Sequence, residues 1–89
     1  MREIEVKKLF GASVRNWRKQ MGISQEELAE RALLHRTYIS DVERGARNVS
    51  LQSIERLARA LEISLPALFS YDTRPPGAGS EMQPKKPKD

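Results

Sequence analysis

The segment Ser24–Gly45, SQEELAERALLHRTYISDVERG, predicts two short helices joined by a tight turn. Its first half opens with a capping box, because Ser24 can cap the amide three residues on and Glu27 can reach back to the Ser24 amide. Apolar residues at helical spacing follow, residues 33–35 interrupt this periodicity and form the turn, and the helical pattern resumes from Arg36. Gly45 ends the second helix as the residue that follows its last turn. The pattern indicates a helix–turn–helix unit.

The second helix has a narrow apolar side and a broad polar side. Ile39 and Val42 lie three residues apart and face inward, with Tyr38 beside Val42. Arg can make two hydrogen bonds to guanine, Thr offers a methyl group and a hydroxyl, and Asp can accept from the amino group of cytosine. A polar face that is simply solvated is the alternative for so short a helix. The face consists of Arg36, Thr37, Ser40, Asp41 and Arg44.

Three stretches carry a family resemblance: GISQEELAERA, RTYISDVERG and RNVSLQSIERLARAL. Together they resemble the Xre, or lambda-repressor-like, helix-turn-helix family over roughly residues 6–70. RTYIS followed by ERGARN is most similar to the controller proteins of restriction–modification systems. The family usually has Gly where this chain has Leu33, so either Leu33 is strained in a left-handed backbone or the turn differs.

The resemblance implies an all-α, five-helix DNA-binding domain with the helix-turn-helix at helices 2 and 3. It implies that Arg18 pairs with Glu43 at the end of the recognition helix; the alternative is two solvated charges. It also implies that Gln25 holds the DNA backbone, as amides at a helix start favour phosphate, although Gln25 could be only a good helix-start residue. We expect Arg36, Thr37, Ser40 and Asp41 to read bases, and Gln25, Tyr38, Arg44, Arg47 and Asn48 to position the backbone.

His35, the only histidine, stands where helix 3 should be capped, although His caps poorly. We expect it to contact phosphate or to be exposed. No second His or Cys accompanies it, so the sequence predicts no metal site, and no catalytic triad spacing is present. Enzymatic activity is therefore not expected, and no cofactor is implied.

The remaining helices follow from apolar spacing. Helix 1 should run from about Glu5 to Met21, and helix 4 from about Leu51 to Glu62. A short helix 5 should lie within residues 63–71 and begin near Pro66. The expected buried faces are Val6, Phe10, Val14, Trp17 and Met21 in helix 1, and Leu51, Ile54, Leu57, Ala58 and Leu61 in helix 4.

Helix 5 carries more apolar side chains than one short exposed helix needs. Some of Leu65, Leu68 and Phe69 should complete the core and some should meet a second subunit, as similar family members dimerise here. Full burial within the monomer is the alternative. A homodimer implies a near-palindromic operator with half-sites about one helical turn apart.

Composition changes after residue 71. We expect one domain at 1–71 and a disordered tail at 72–89, which has four prolines and too few apolar residues to fold. Residues 1–71 hold twelve Lys/Arg and nine Asp/Glu, a net charge of +3 out of +4 for the chain, which favours a polyanion partner. The PKKPK cluster of the tail could add DNA affinity or simply solubilise.

The sequence has no cysteine, no signal-peptide pattern and no apolar run of membrane-spanning length, so we expect a cytoplasmic protein without membrane contact. We expect it to bind double-stranded DNA as a homodimeric transcriptional regulator, with no small-molecule ligand. Two alternatives remain: an antitoxin or phage-type repressor, whose tail would bind a partner, and a protein-interaction module that kept the fold and lost DNA binding.

Overall fold

The computed structural model describes residues 3–70, and side chains from residue 6 onward. This range contains five α-helices and no strand, which confirms the all-α prediction. The helix α1 begins two residues earlier than expected. The predicted tail, 72–89, lies outside the described residues. The helices are α1 (Glu3–Met21), α2 (Gln25–Ala32), α3 (Arg36–Glu43), α4 (Leu51–Leu61) and α5 (Leu65–Leu68).

One apolar core holds the helices together. The helix α1 packs against α3, α4 and α5, while α2 packs against α3 and α4. No polar or charged residue of the described part is buried in this core. Trp17 and Met21 are half-buried and pack against its edge, so the predicted inner face of α1 is confirmed there only in part. The core residues include Phe10, Val14, Leu28, Ile39, Val42, Ile54, Leu57, Leu61 and Leu68.

Gly11 lets α1 approach the end of α3 closely. A Cβ atom at this position would fall against the carbonyl oxygen of Val42 and 2.9 Å from that of Glu43. Both obstacles are backbone atoms, which cannot swing aside as a side chain can. The absence of a side chain at Gly11 therefore sets the spacing between α1 and the last turn of α3.

The first four helices end in the same hydrogen-bond pattern. After α2, the Leu33 amide donates to the Glu30 carbonyl at 3.3 Å and the Leu34 amide donates to the Ala29 carbonyl at 2.9 Å. These are the two bonds of a Schellman motif, which needs a left-handed residue. Glycine fills that place after α1 and α3. Leu33 (φ 59°) and Glu62 (φ 60°) fill it after α2 and α4, so Leu33 does adopt the strained backbone.

Two residues expected in the core are exposed. Leu51 is 84% exposed because, at 3.6 residues per turn, it lies roughly 90° from the centre of the buried face of α4 and in its first turn. Val6 is exposed because it lines the rim of an open apolar hollow beside Phe69. The helix α4 also stops one residue early, since Glu62 is its left-handed cap.

Candidate nucleic-acid interface

The helix α3 is anchored by two side chains and presents the others outward. Ile39 and Val42 are its only buried residues. The helix begins after His35, whose side chain makes no capping bond and is exposed, in agreement with the expected poor cap. With so little of its surface buried, α3 has a broad face available to a partner.

Arg36 and Thr37 occupy the first turn of that face and are exposed. The Arg36 side chain makes no hydrogen bond or ion pair with any residue the structure describes. Its guanidinium therefore keeps all its donors for a ligand, and the planar fork matches the two acceptors on the major-groove edge of guanine.

Arg44 of this face and Arg47 of the loop after α3 both donate hydrogen bonds to the Asp41 carboxylate. Arg44 Nη2 donates to Asp41 Oδ1 at 2.6 Å, and Arg47 Nη2 donates to Asp41 Oδ2 at 3.1 Å. Arg44 Nη1 also makes a weak bond to Ser40 Oγ at 3.4 Å. The guanidinium of Arg47 lies 4.6 Å from the centre of the Tyr38 ring, a cation–π distance. The loop after α3 is thus fastened to the helix by its side chains.

A second network lies beneath the end of α3. Arg18 donates to Glu43 twice, from Nε to Oε2 at 2.7 Å and from Nη2 to Oε1 at 3.1 Å. Gln25 Nε2 donates to the same Oε1 at 3.0 Å, and Arg18 Nη1 donates to the Ile23 carbonyl at 2.9 Å. The hydrogen bond to Glu43 raises the pKa of Arg18 above its ordinary value, against a smaller lowering by burial. The network joins α1, α2 and α3.

The predicted interface residues form one continuous set. Those predicted between residues 35 and 48 lie on α3 or on the loop after it, where Asn48 is exposed and Ser40 is half-buried. Gln25 lies in the first turn of α2 and reaches this set through Glu43. Sequence reasoning missed the Tyr38–Arg47 stacking, the link from Gln25 to Glu43 and the sharing of Asp41 with Arg47. No local spacing signals these contacts, because each depends on how a loop or a second helix returns.

The helix α5 divides the three residues predicted at a dimer interface. Leu65 and Phe69 are each 44% exposed, whereas Leu68 is fully buried in the monomer. Leu68, one of the three candidates for contact with a second subunit, therefore belongs to the part of the set that completes the core. The helix α5 is docked there by a hydrogen bond from Ser13 Oγ to the Leu68 carbonyl at 2.7 Å. Phe69 packs against Phe10 with ring centres 5.4 Å apart and borders the hollow of about 280 Å³ noted above.

In the part of the chain that the structure describes, no His, Asp and Glu side chains are grouped as metal ligands would be. None of the helices from residue 3 to residue 70 is long and apolar enough to span a membrane.

Comparison with known proteins places the chain in a family. Residues 14–68 match a helix-turn-helix family model. Control protein C.BamHI of Bacillus amyloliquefaciens is 48% identical over 69 residues, which cover 76% of this chain and 85% of that protein. Control protein C.SmaI of Serratia marcescens is 45% identical over 67 residues, 75% of this chain and 80% of that one.

A solved structure agrees with these matches. The restriction-modification controller protein C.AhdI from Aeromonas hydrophila superposes with a TM-score of 0.71 at 47% identity, over 72% of this chain and 97% of that one. The family-model match, residues 14–68, contains α2, α3 and the polar face described above. The chain therefore belongs to the helix-turn-helix family of DNA-binding transcriptional regulators.

Proposed function

We propose that this chain regulates transcription as a homodimer on a near-palindromic operator, and that the operator belongs to a restriction–modification system. The observation that carries the proposal is Arg36, exposed and without a partner in the described residues, in the first turn of a helix with only two buried side chains. The control and controller proteins among the relatives support the restriction–modification context. The proposal assigns the chain to the cytoplasm and gives it no enzymatic activity, cofactor or small-molecule ligand.

Within the proposal, the arginines have different tasks. Arg36, with Thr37 beside it, reads base edges, since its donors are free. Arg44 and Arg47 lie against a carboxylate, in an arrangement that suits contact with the continuous row of phosphates rather than with one base. Gln25 and Asn48 contact the backbone at the two sides of α3.

The homodimer is proposed to form through the exposed part of α5. Leu65 and Phe69 place two large apolar side chains on the surface beside an open hollow. Phe69→Glu should then yield folded monomers with weaker operator binding. Leu51→Glu is the matched control, because it places the same charge on a more exposed leucine outside the proposed interface. Sedimentation that finds both variants dimeric would move the interface elsewhere.

The decisive experiment is a binding selection from random duplexes with the full chain. We expect one site with two symmetric halves about one helical turn apart, 10–10.5 base pairs centre to centre. The selected site should occur beside the restriction and modification genes. If no sequence is enriched, the chain is a protein-interaction module that kept the fold, and the proposed function is wrong.

Substitutions then separate the roles of the arginines. Arg36→Ala should lose about 1–3 kcal/mol of preference for one guanine in each half-site while binding to random DNA persists. Arg47→Ala should weaken binding to every duplex and reduce the salt slope by about 0.9. Arg59→Ala, an exposed arginine of α4 outside the interface, is the control of equal charge. If Arg36→Ala weakens all duplexes equally and keeps the consensus, Arg36 binds phosphate and the base-reading assignment is wrong.

A further inference from the structure

Asp41 holds two arginines at once on the exposed side of α3. Its two carboxylate oxygens are divided between them, Oδ1 to Arg44 at 2.6 Å and Oδ2 to Arg47 at 3.1 Å. The Asp41 side chain is 23% exposed, less than either arginine, so the carboxylate lies partly beneath the two cations. The Tyr38 ring holds Arg47 from another side.

We propose that Asp41 is a positioning residue whose carboxylate sets how much free positive charge α3 offers to DNA, and thereby the preference for the operator over random DNA. This inference rests on the proposed function, since it concerns the same surface. Two arginines without Asp41 would offer two positive charges to phosphates. With Asp41 between them the cluster carries a net charge of +1, and a phosphate must compete with the carboxylate for the same N–H donors.

The competition acts differently on the two kinds of complex. Binding to random DNA depends on the neutralisation of phosphates by arginine and lysine side chains. Each arginine that stays paired with Asp41 therefore weakens this binding. Binding to the operator also has base contacts from Arg36, which Asp41 does not touch in the structure. The two ion pairs also hold both guanidiniums in one arrangement. That arrangement favours the operator complex, in which the phosphates have one fixed register, over the many registers of random DNA, so Asp41 should lower non-specific affinity more than specific affinity.

The test is Asp41→Asn, which removes the charge and keeps the size of the side chain. Affinity for a random duplex should rise several-fold, and the slope of log K against log salt should steepen by up to about 0.9, the value for one additional phosphate. Operator affinity should rise less, so the ratio of operator to random affinity should fall. Thermal melts establish that the variant is folded.

Glu55→Gln is the matched control. Glu55 pairs with Arg59 at 3.2 Å on α4, so this change also removes one negative charge and releases one arginine, at a site outside α3 and its loop. The salt slope of Glu55→Gln should stay close to that of the unchanged protein. An equal steepening in both variants would overturn the inference, because net charge alone would then explain the effect.

Three other outcomes also decide the matter. Loss of preference at a single base pair with an unchanged salt slope would make Asp41 a base reader and overturn the inference. A lower melting temperature with unchanged slope and ratio would make its role structural and overturn it equally. If the unchanged protein selects no operator, the proposed function fails. Asp41→Asn should even then steepen the salt slope of binding to random DNA. An unchanged salt slope would refute, separately, the role of Asp41 in setting the free positive charge of α3.

Discussion

Removing one partner of the Arg18–Glu43 ion pair should destabilise the domain by about 3–5 kcal/mol, because the other partner remains as a buried, unpaired charge. The side chains of Arg18 and Glu43 are only 12% and 4% exposed, respectively, so the energetics of a buried ion pair apply. Two of the three hydrogen bonds to the Glu43 carboxylate come from Arg18, so Arg18→Ala leaves only the bond from Gln25. An exposed pair would contribute only about 0–1 kcal/mol.

Thermal and urea unfolding of Arg18→Ala and Glu43→Ala measure the effect. A domain of this size loses about 4–8 °C of Tm per kcal/mol, so each variant should melt more than about 12 °C below the unchanged protein. Arg31→Ala is the control, because Arg31 pairs with Glu27 at 2.9 Å on the exposed side of α2 and its loss should remain below about 0.5 kcal/mol.

A double substitution tests whether the two residues act as a pair. Replacing both Arg18 and Glu43 with Ala should cost less than the sum of the two single losses, because neither charge is then left alone. Losses below about 0.5 kcal/mol in both single variants, or simple additivity in the double variant, would refute the buried-pair reasoning.

The pH dependence has a definite sign. A raised pKa in the folded state means that the contribution of Arg18 is fully present below the ordinary pKa of arginine and is lost only as pH rises through the raised value. Between about pH 6 and pH 10 this guanidinium should therefore add no slope to stability. Arg18→Lys should be less stable than the unchanged protein at every pH, because a lysine cannot keep both hydrogen bonds to Glu43. This deficit should grow only above about pH 10, where the lysine loses its proton and the guanidinium keeps its own; a deficit that already grows between about pH 6 and pH 10 would contradict the sign.

Two further predictions concern the backbone. Gly11→Ala should lower stability by about 1–3 kcal/mol in urea unfolding, since its Cβ meets backbone carbonyls of α3; Asn16→Ala, at an exposed position of the same helix, should stay within about 0.5 kcal/mol, and equal effects would show that α1 can move away. Leu33→Gly and Glu62→Gly should each leave Tm unchanged or raise stability by up to about 1 kcal/mol, because both residues have a left-handed backbone that glycine adopts without strain. A clear loss of stability in both variants would mean that the strain at these positions is negligible.

Capping and periodicity predicted most of the fold because those signals are local. Ser24 and Ser50 each accept an amide hydrogen bond at the start of their helices, as their positions in the sequence indicate. Leu51 was expected in the core but is exposed, and the sequence could not tell the buried Leu68 from its exposed neighbours Leu65 and Phe69. The reason is that apolar character shows only that a residue can be buried. Whether it is buried depends on the angle at which its helix meets the others, which lies outside any short window.

The sequence also could not show which part of the chain packs against Gly11. A glycine within the apolar stretch of α1 weakens the helix locally, so its presence indicates some compensating contact. The partner is the last turn of α3, more than thirty residues further along the chain, and nothing near Gly11 names it. Arg18 and Glu43 are 25 residues apart, and their pairing was predicted only through the family resemblance.

The Gln25 side chain shows how the buried network can serve the interface. A carboxylate only accepts hydrogen bonds, so the 3.0 Å contact with Glu43 fixes the Gln25 amide with its nitrogen towards Oε1. That nitrogen carries two hydrogens, and the second remains for a phosphate oxygen while the first stays on Glu43. Gln25 can therefore contact DNA without leaving the network. Loss of Glu43 would free the amide to rotate, so Glu43→Gln should weaken DNA binding beyond what its folded fraction explains.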